Sequence, residues 1–284
     1  MADFGLLRFK PCEEAESLVK GIEEHIGFDD ETGLVKYVSS NRTWLTICDN
    51  AALALVYIAL GRKEDSLKLV EGIEKHIGLD ENTGLVTDEY FKENELPFPE
   101  GNALLAIVYN ALGRKDDAVR LFDDALEALG RGDKTGLVYD SIKSPSHDSY
   151  YTSASAAFAI AYLALNNKEE AARLVEGVEE IIGFVDEKGL ITDRNLEKYA
   201  CRTQDNALLS IAYSALGMHD KASQLLRKIE EHINSEVFED GSKLASDGFL
   251  VSKKPSLPDA KITRDNALLA LAYMAEKAHG DGSI

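Results

Sequence analysis

The sequence is poor in cysteine, tryptophan and glutamine. Its 284 residues include three cysteines and one tryptophan, and glutamine occurs only as Gln204 and Gln224. An odd number of cysteines without a Cys-x-x-Cys pair does not make a disulfide framework, so we expect a reducing, cytoplasmic environment. No histidine or cysteine shows the spacing of a zinc site, and we expect no metal.

Positive charge and long apolar runs are also scarce. The chain has 31 Lys and Arg against 50 Asp and Glu, which gives a formal net charge of −19. Without a basic face, binding to nucleic acid or to an anionic membrane is not expected. Apolar runs such as Ala51 to Leu60 are too short to span a bilayer, and the first residues lack the pattern of a signal peptide. No P-loop, dinucleotide fingerprint or Gly-x-Ser-x-Gly elbow occurs, so we expect no cofactor.

The dominant feature that is present is a fivefold repeat. A Gly-Leu-Val segment or a close variant begins at Gly33, Gly84, Gly136, Gly189 and Gly248. A second landmark, Asn or Ser followed by Ala, occurs at Asn50, Asn102, Ser155, Asn206 and Asn266. The period is about 52 residues. The fifth copy is longer, and we expect its insertion in a loop within residues 234–247.

Each copy contains two helices of different character. The helix that starts at the second landmark is apolar on every side, which predicts complete burial. It carries a tyrosine seven residues after the landmark, at Tyr57, Tyr109, Tyr162, Tyr213 and Tyr273. The other helix carries a single apolar stripe, such as Leu18, Val19, Ile22 and Ile26, opposite Glu and Lys. We call the two types inner and outer helices.

These patterns predict an all-α fold, an (α/α)5 toroid of five helical hairpins that forms one domain over residues 1–284. Inner apolar helices would form a ring sheathed by outer amphipathic helices. An open solenoid is the alternative, but it requires polar end repeats. The last inner helix, Ala267 to Ala275, is as apolar as the others, which favours a closed ring.

Long connections identify the end of the toroid where a site is expected. The loops from each outer helix to the next inner helix are long, and loops of more than about 12 residues are uncommon unless they are functional. They span residues 28–46, 79–99, 130–151, 184–203 and 235–263. All five lead to the N-termini of inner helices, whose unpaired N–H groups and positive partial charge suit a polar or anionic ligand.

Carboxylates recur at these helix starts and are the candidate catalytic residues. They are Asp49, Glu100, Asp205 and Asp265. One interpretation is N-capping, because Asp is among the preferred capping residues. The other is a set of acids around one cavity that performs acid–base chemistry. The second and third copies have Gly101 and Ala154 where the other three have Asp, and Glu100 lies beside Gly101.

Aromatic and charged loop residues are the candidate binding residues. They are Arg42, Trp44, His147, Asp148, Tyr150, Tyr151, Arg202 and Arg264. Aromatic rings suit sugars and other flat-faced ligands, and arginine suits carboxylates. The alternative is that these side chains only hold the long loops in place.

Short motifs resemble one known group of toroids. The segments Asp29 to Val35 and Asp80 to Val86 resemble the Asp-x-x-Thr-Gly-Leu segments of the six-hairpin glycosidase-like superfamily, which includes the unsaturated uronyl hydrolases. Glu100-Gly101-Asn102 resembles their Gly-Asn helix start. The resemblance implies an (α/α) toroid that acts on carbohydrate through Asp or Glu at the inner-helix N-termini. The chain departs from it in having five hairpins and few aromatic residues.

Two functional hypotheses follow from these observations. The first is a carbohydrate-active enzyme, a hydrolase or lyase on a small or uronic-acid-containing saccharide, with a saccharide or other small molecule as its ligand. The second is a non-catalytic toroid that binds a peptide, a protein or a small ligand. They differ in the state of the acids, which cap helices in the second hypothesis and face a cavity in the first.

Overall fold

Ten α-helices are present in the part of the chain that the computed structural model describes. That part comprises residues 4–39, 42–78, 84–86, 99–132, 136–139, 150–185, 188–193, 201–233, 235–245 and 263–280. The helices are α1 (Glu13–Gly21), α2 (Ile47–Ala59), α3 (Lys63–Gly72), α4 (Pro99–Ala111), α5 (Lys115–Leu129), α6 (Thr152–Ala164), α7 (Lys168–Gly177), α8 (Thr203–Leu216), α9 (His219–His232) and α10 (Thr263–Gly280). Even-numbered helices are the predicted inner ones, and odd-numbered helices are the outer ones.

Three outer helices end in a π-helical turn. These turns are Ile22–Ile26, Ile73–Ile77 and Val178–Ile182, which follow α1, α3 and α7. Each turn stops at a glycine with positive φ, such as Gly27 at 75°. Glycine adopts this conformation without the steric cost that a side chain adds, so the chain can leave the helix sharply.

The outer-to-inner connections contain short antiparallel hairpins. Strand β1 (Tyr37–Ser39) pairs with β2 (Arg42–Trp44), and β3 (Phe184–Val185) pairs with β4 (Leu190–Ile191). Strand β5 (Ser235–Val237) pairs with β6 (Lys243–Ala245). The loops are therefore partly ordered by backbone pairing beside the inner helices.

The inner helices form a closed ring. In chain order α2, α4, α6, α8 and α10 each pack against the next, and α10 packs back onto α2. Their side chains are buried on all faces, as in α2 from Ile47 to Ile58. The predicted all-α toroid is confirmed, and the open solenoid is excluded by the contact between α10 and α2. None of the helices described is long and apolar enough to cross a bilayer.

The hairpins of the ring run from an inner helix to the outer helix that follows it. Tight turns join α2 to α3, α4 to α5, α6 to α7 and α8 to α9, and the two helices of each pair pack together. The fifth inner helix, α10, packs against α1 instead. The two ends of the chain therefore supply one hairpin that has no connecting turn, and we call this place the seam.

The two sequence landmarks are bonded to each other. Asn102 accepts a hydrogen bond from the Val86 N–H at 2.9 Å and donates one to the Val86 carbonyl at 2.9 Å. The same two-bond clamp joins Asn50 to Val35, Asn206 to Ile191 and Asn266 to Ala245. In the third copy Ser155 accepts one bond from Val138 at 3.3 Å. The landmark Asn thus satisfies the buried backbone of the Gly-Leu-Val segment.

This clamp corrects the alignment of the fifth copy. The residue held by Asn266 is Ala245, which follows the buried Leu244, so the fifth segment is Leu244-Ala245. The prediction of Gly248 for this position is wrong, because Asn266 holds Ala245; Gly248 itself lies outside the described residues. With Ala245 in place the clamped residues are evenly spaced at about 52 residues. The extra length therefore follows Ala245 rather than lying within 234–247.

The opposite end of the ring is covered by the segment Phe4 to Lys10. Its backbone donates hydrogen bonds to carbonyls in the C-terminal halves of inner helices, from Leu6 to Leu163 and from Lys10 to Met274. Leu7 and Phe9 lie on the ring axis, where apolar inner-helix side chains leave a void of only about 10 Å³. The interior of the ring is therefore filled at this end, so a site inside the ring is expected towards the helix N-termini.

Candidate functional site

The inner-helix N-termini bring four buried carboxylates to one end of the ring. Asp49, Glu100, Asp205 and Asp265 are each no more than 2% exposed. They come from four different inner helices. Arg264 of α10 approaches Glu100 of α4 with its Nε 3.7 Å from Oε1, although α10 and α4 are not neighbours in the ring. The Arg264 and Glu100 side chains therefore reach towards the axis of the ring.

Asp49 is fully used in structural bonds. One carboxylate oxygen accepts a hydrogen bond from the Thr46 hydroxyl, and the other accepts one from the Arg264 N–H at 2.7 Å. The N-cap of its own helix is Thr46, which accepts from the Asp49 N–H at 3.1 Å. Asp49 thus caps the neighbouring helix α10 across the ring. Burial raises the pKa of Asp49, while Arg264 and Thr46 oppose this effect.

Glu100 presents the opposite case. It is the second residue of α4 and is 2% exposed, yet neither carboxylate oxygen has a hydrogen-bond partner among the described residues. The Arg264 guanidinium lies beside it, with Nε 3.7 Å from Oε1. An acid left unbonded at this depth costs free energy, so a native protein keeps one mainly where another group binds.

Asp205 is the second acid that is not fully bonded. It is the third residue of α8 and 1% exposed, and its Oδ2 has no partner within the described part of the structure. Burial raises the pKa of Asp205 well above its ordinary value. Arg202 and Arg264 oppose the increase, and the charges of Glu100 and Asp193 add to it. Burial thus favours the protonated, neutral form of Asp205 over the carboxylate.

Arg264 carries the main positive charge of the cluster. Burial alone would lower the pKa of its guanidinium, but Glu100, Cys48, Asp49 and Asp265 together raise that pKa well above its ordinary value. The arginine therefore stays charged among the acids. Its position on the axis places one cation between carboxylates that would otherwise repel each other.

A further acid, Asp193, was missed by sequence reasoning. It follows β4, is 2% exposed, and has its Oδ2 3.5 Å from Arg202 Nη2. Its carbonyl also accepts a hydrogen bond from the Thr152 N–H, which ties it to the start of α6. The available signal was an Asp two residues after the clamped position, which recurs as Asp88, Asp140 and Asp247.

The predicted binding residues divide into three groups. Arg202 and Arg264 belong to the cluster, and Tyr151 lies half-buried directly before α6. Tyr150 is buried and stacks on Tyr139 with ring centroids 5.3 Å apart, so its ring packs within the protein. The remaining four lie in regions of which the structure says less. Arg42 and Trp44 are in β2 with undescribed side chains, and His147 and Asp148 lie outside the described residues.

Close packing of inner helices is required beneath the cluster. A Cβ at Gly101 would lie 2.5 Å from Ile47 Cγ2 and 3.0 Å from Cys48 Sγ. Glycine is therefore needed in α4 where other copies carry Asp or Ala. The missing Asp of the second copy reflects contact with α2, and Glu100 beside it supplies the acid.

Comparison with known proteins identifies the fold. No protein-family model matches the chain, and no curated protein matches it. Among solved structures, the endo-β-1,4-glucanase CMCax from Acetobacter xylinum superposes with a TM-score of 0.62 at 11% identity, covering 94% of this chain and 98% of that one. The GH76A α-1,6-mannanase from Salegentibacter sp. HEL1_6 has a TM-score of 0.60 at 15% identity, covering 92% and 98%.

The chain shares the (α/α)-toroid fold of these glycoside hydrolases. A family 105 glycoside hydrolase from C. acetobutylicum also matches, with a TM-score of 0.53 at 13% identity over 79% of this chain and 78% of that one. The resemblance to toroid glycosidases that the hairpin repeat indicated is confirmed at the level of the fold. At these identities the likeness concerns the architecture alone.

Proposed function

We propose that this toroid is a carbohydrate-active hydrolase whose reacting groups are Glu100 and Asp205. The observation that carries the proposal is the pair of buried acids on non-adjacent helices, neither of them fully hydrogen-bonded within the described part of the chain. The fold supports it, because the toroids that superpose include hydrolases of glucan and mannan. Two of those mannanase structures hold α-1,6-mannotriose and α-1,6-mannotetrose.

The two acids suit opposite roles in glycoside hydrolysis. Asp205, with its raised pKa, is the general acid that protonates the leaving glycosidic oxygen. Glu100 faces the Arg264 guanidinium, and neither of its oxygens has a hydrogen-bond partner among the residues that the structure places, so it is the general base that takes a proton from water. The water oxygen bonds to the sugar carbon as the glycosidic bond breaks. Arg264 is then a positioning residue that holds Glu100.

The charge of the cluster bears on the substrate. Both arginines face acids, Arg264 beside Glu100 and Arg202 beside Asp193. The described part of the site is therefore negative overall, which favours a neutral saccharide. A uronic-acid-containing saccharide remains the alternative that the family resemblance implies, and it would need cations from beyond the described residues. A lyase on such a substrate is the corresponding alternative reaction.

The test combines binding with turnover. The wild-type protein is screened by thermal shift against manno-, cello- and galacturono-oligosaccharides, because a ligand of the folded state raises the melting temperature. New reducing ends are then measured with each saccharide that binds. We expect Glu100→Gln and Asp205→Asn each to lower turnover by at least about 100-fold, the usual contribution of a general acid or base. Both variants should keep the bound saccharide.

Asp49→Asn is the matched control, because Asp49 lies in the same ring of helix starts with its oxygens already bonded. It should retain turnover within about threefold, since Asn caps helices about as well as Asp. If a saccharide binds and all three variants behave like the wild type, the proposed hydrolase is wrong. That result would favour the second hypothesis, a non-catalytic binding toroid.

A further inference from the structure

The repeated tyrosine of the inner helices is part of a second repeated unit, away from the carboxylate cluster. In the first copy the Tyr57 hydroxyl donates to Glu23 at 2.7 Å, and Arg62 donates to the same Glu23 oxygen at 2.7 Å. The Arg62 guanidinium carbon lies 4.3 Å from the centre of the Tyr57 ring. The unit therefore consists of a tyrosine, a carboxylate and a cation over the ring.

Three further copies hold a cation in the same place. Arg114 bonds Glu74 at 2.6 Å and lies 4.2 Å from the centre of the Tyr109 ring. Lys221 bonds Glu179 at 2.6 Å over Tyr213. The third copy has Leu126 in place of the glutamate, and Arg131 lies over Tyr162 instead and bonds Glu170 at 2.8 Å.

The fifth copy lies at the seam and lacks the cation. The Tyr273 hydroxyl donates to Glu230 at 3.0 Å, as in the other copies. No arginine or lysine among the residues placed by the structure bonds Glu230 or lies over the Tyr273 ring. In the first two copies the cation is the N-cap residue of the following outer helix, Arg62 or Arg114. The N-cap of α1, which takes this position at the seam, is Cys12.

At the seam, a cleft lies where the other copies have the cation and the inner-to-outer turn. Its volume is about 380 Å³, and it lies between α9, α10 and α1 with Tyr273 and Cys12 in its wall. Three carboxylates line it, those of Glu14, Glu230 and Glu276. Two basic residues also line it. Arg227 donates to the Ser223 carbonyl at 3.3 Å, and Lys277 is exposed.

We propose that the seam cleft binds a guanidinium group from outside the chain, over the ring of Tyr273 and against the carboxylate of Glu230. The other copies show what this pair binds when a cation is available. A guanidinium is favoured over an ammonium because it is planar, stacks on an aromatic ring and bonds a carboxylate through a fork of donors. Arg62 and Arg114 lie closer to their rings than Lys221 does. The cleft lies at the inner-helix C-terminal end, so this proposal is independent of the proposed hydrolase.

The test uses ethylguanidinium as the probe, titrated by calorimetry and ligand-observed NMR at constant ionic strength. We expect saturable binding of one molecule per chain. Glu230→Gln should weaken it at least tenfold. Cys12→Arg supplies the cation from the chain itself, as Arg62 does in the first copy. It should abolish binding and raise the melting temperature.

Glu23→Gln is the matched control, because it removes the same carboxylate from a copy whose cation is already in place. It should leave binding of the probe unchanged. Equal binding to the wild type and Glu230→Gln would overturn the proposal, since it would reduce the effect to attraction by a negative surface. Glu14→Gln provides a second removal of charge if Cys12→Arg does not fold.

A second arm distinguishes the source of the guanidinium. A short peptide with blocked ends and one arginine is compared with ethylguanidinium. Tighter binding of the peptide would assign the cleft to a protein side chain, and equal binding would assign it to a small molecule. Failure of both probes to bind would overturn the proposal.

Discussion

At the scale of single residues, the candidate site separates acids of the same type by what they touch. Asp49 and Asp205 occupy equivalent positions in α2 and α8. Asp49 accepts hydrogen bonds from the Thr46 hydroxyl and the Arg264 backbone N–H, whereas Asp205 has an oxygen without a partner in the described structure. Both interpretations of the carboxylates at the inner-helix starts therefore apply, each to a different residue. Capping describes Asp49, and proton transfer is proposed for Asp205.

Asp205→Asn should raise the free energy of unfolding, and the gain should grow with pH. Burial raises the pKa of Asp205 in the folded state well above its ordinary value, so the folded protein holds the proton more tightly than the unfolded chain does. From the unfolded value of about 3.9 up to the folded pKa, the wild type therefore loses stability as pH rises. Asn does not ionise and removes that loss, by about 1.4 kcal/mol for each unit of difference.

Urea unfolding of wild type and variant at about pH 4, 6 and 8 measures this dependence. Asp65→Asn is the control with the opposite sign, because Lys68 and Arg62 lower the pKa of Asp65 against a smaller effect of burial. Its stabilising effect is present above the unfolded pKa and is lost as pH falls towards the folded pKa. A gain for Asp205→Asn that stays constant with pH would contradict the raised pKa.

At the scale of elements, the Asn clamp joins each connecting loop to the start of an inner helix. Asn102→Ala should lower the free energy of unfolding by about 3 kcal/mol, because it leaves the buried N–H and carbonyl of Val86 without partners. Ser155→Ala is the natural comparison, since Ser155 makes one longer bond to Val138. It should cost about 1 kcal/mol. Chemical denaturation measures both, and equal losses would show that the second bond of the Asn clamp adds nothing.

The elements themselves could largely be predicted from the sequence. Inner and outer helices differ in apolar pattern, and the fourfold Asn with one Ser marks every inner-helix start, because both signals are local. The fifth segment at Leu244-Ala245 could not, since its identity depends on a hydrogen bond to Asn266 that no tripeptide pattern encodes. The cover formed by Phe4 to Lys10 was missed for the same reason. Its contacts are with inner helices far along the chain.

The candidate site was predictable only in part. The acids at the helix starts follow from the repeat, and all four lie buried at one end of the ring. Which of them lack partners depends on packing between helices that are not adjacent in sequence. Asp193 shows the limit clearly, because it enters the site from a loop and pairs with Arg202 of the following helix. Its pattern in the repeat is visible only once the cluster is known.

At the scale of the whole molecule, ring closure predicts a single thermal transition. An array of repeats in contact only with their neighbours can melt in steps. Here α10 packs on α2 and on α1, so the first and last repeats are also joined. Separating any two repeats therefore opens the closed ring and weakens the packing at the seam. We expect calorimetry to show one transition with an enthalpy of about 200 kcal/mol, equal to the van't Hoff value from circular dichroism. Two resolved transitions would contradict cooperative closure.

The bond between Asp49 and the Arg264 backbone has a consequence for the folding kinetics of the protein. It joins residues 215 positions apart, so it forms only after nearly the whole chain has collapsed. Hairpins such as α4 with α5 need only local contacts and can form earlier. The carboxylate cluster at the inner-helix N-termini requires α10 to pack against α2. It is therefore absent from any intermediate that lacks the last helix. During refolding, recovery of saccharide binding should lag behind recovery of helical signal.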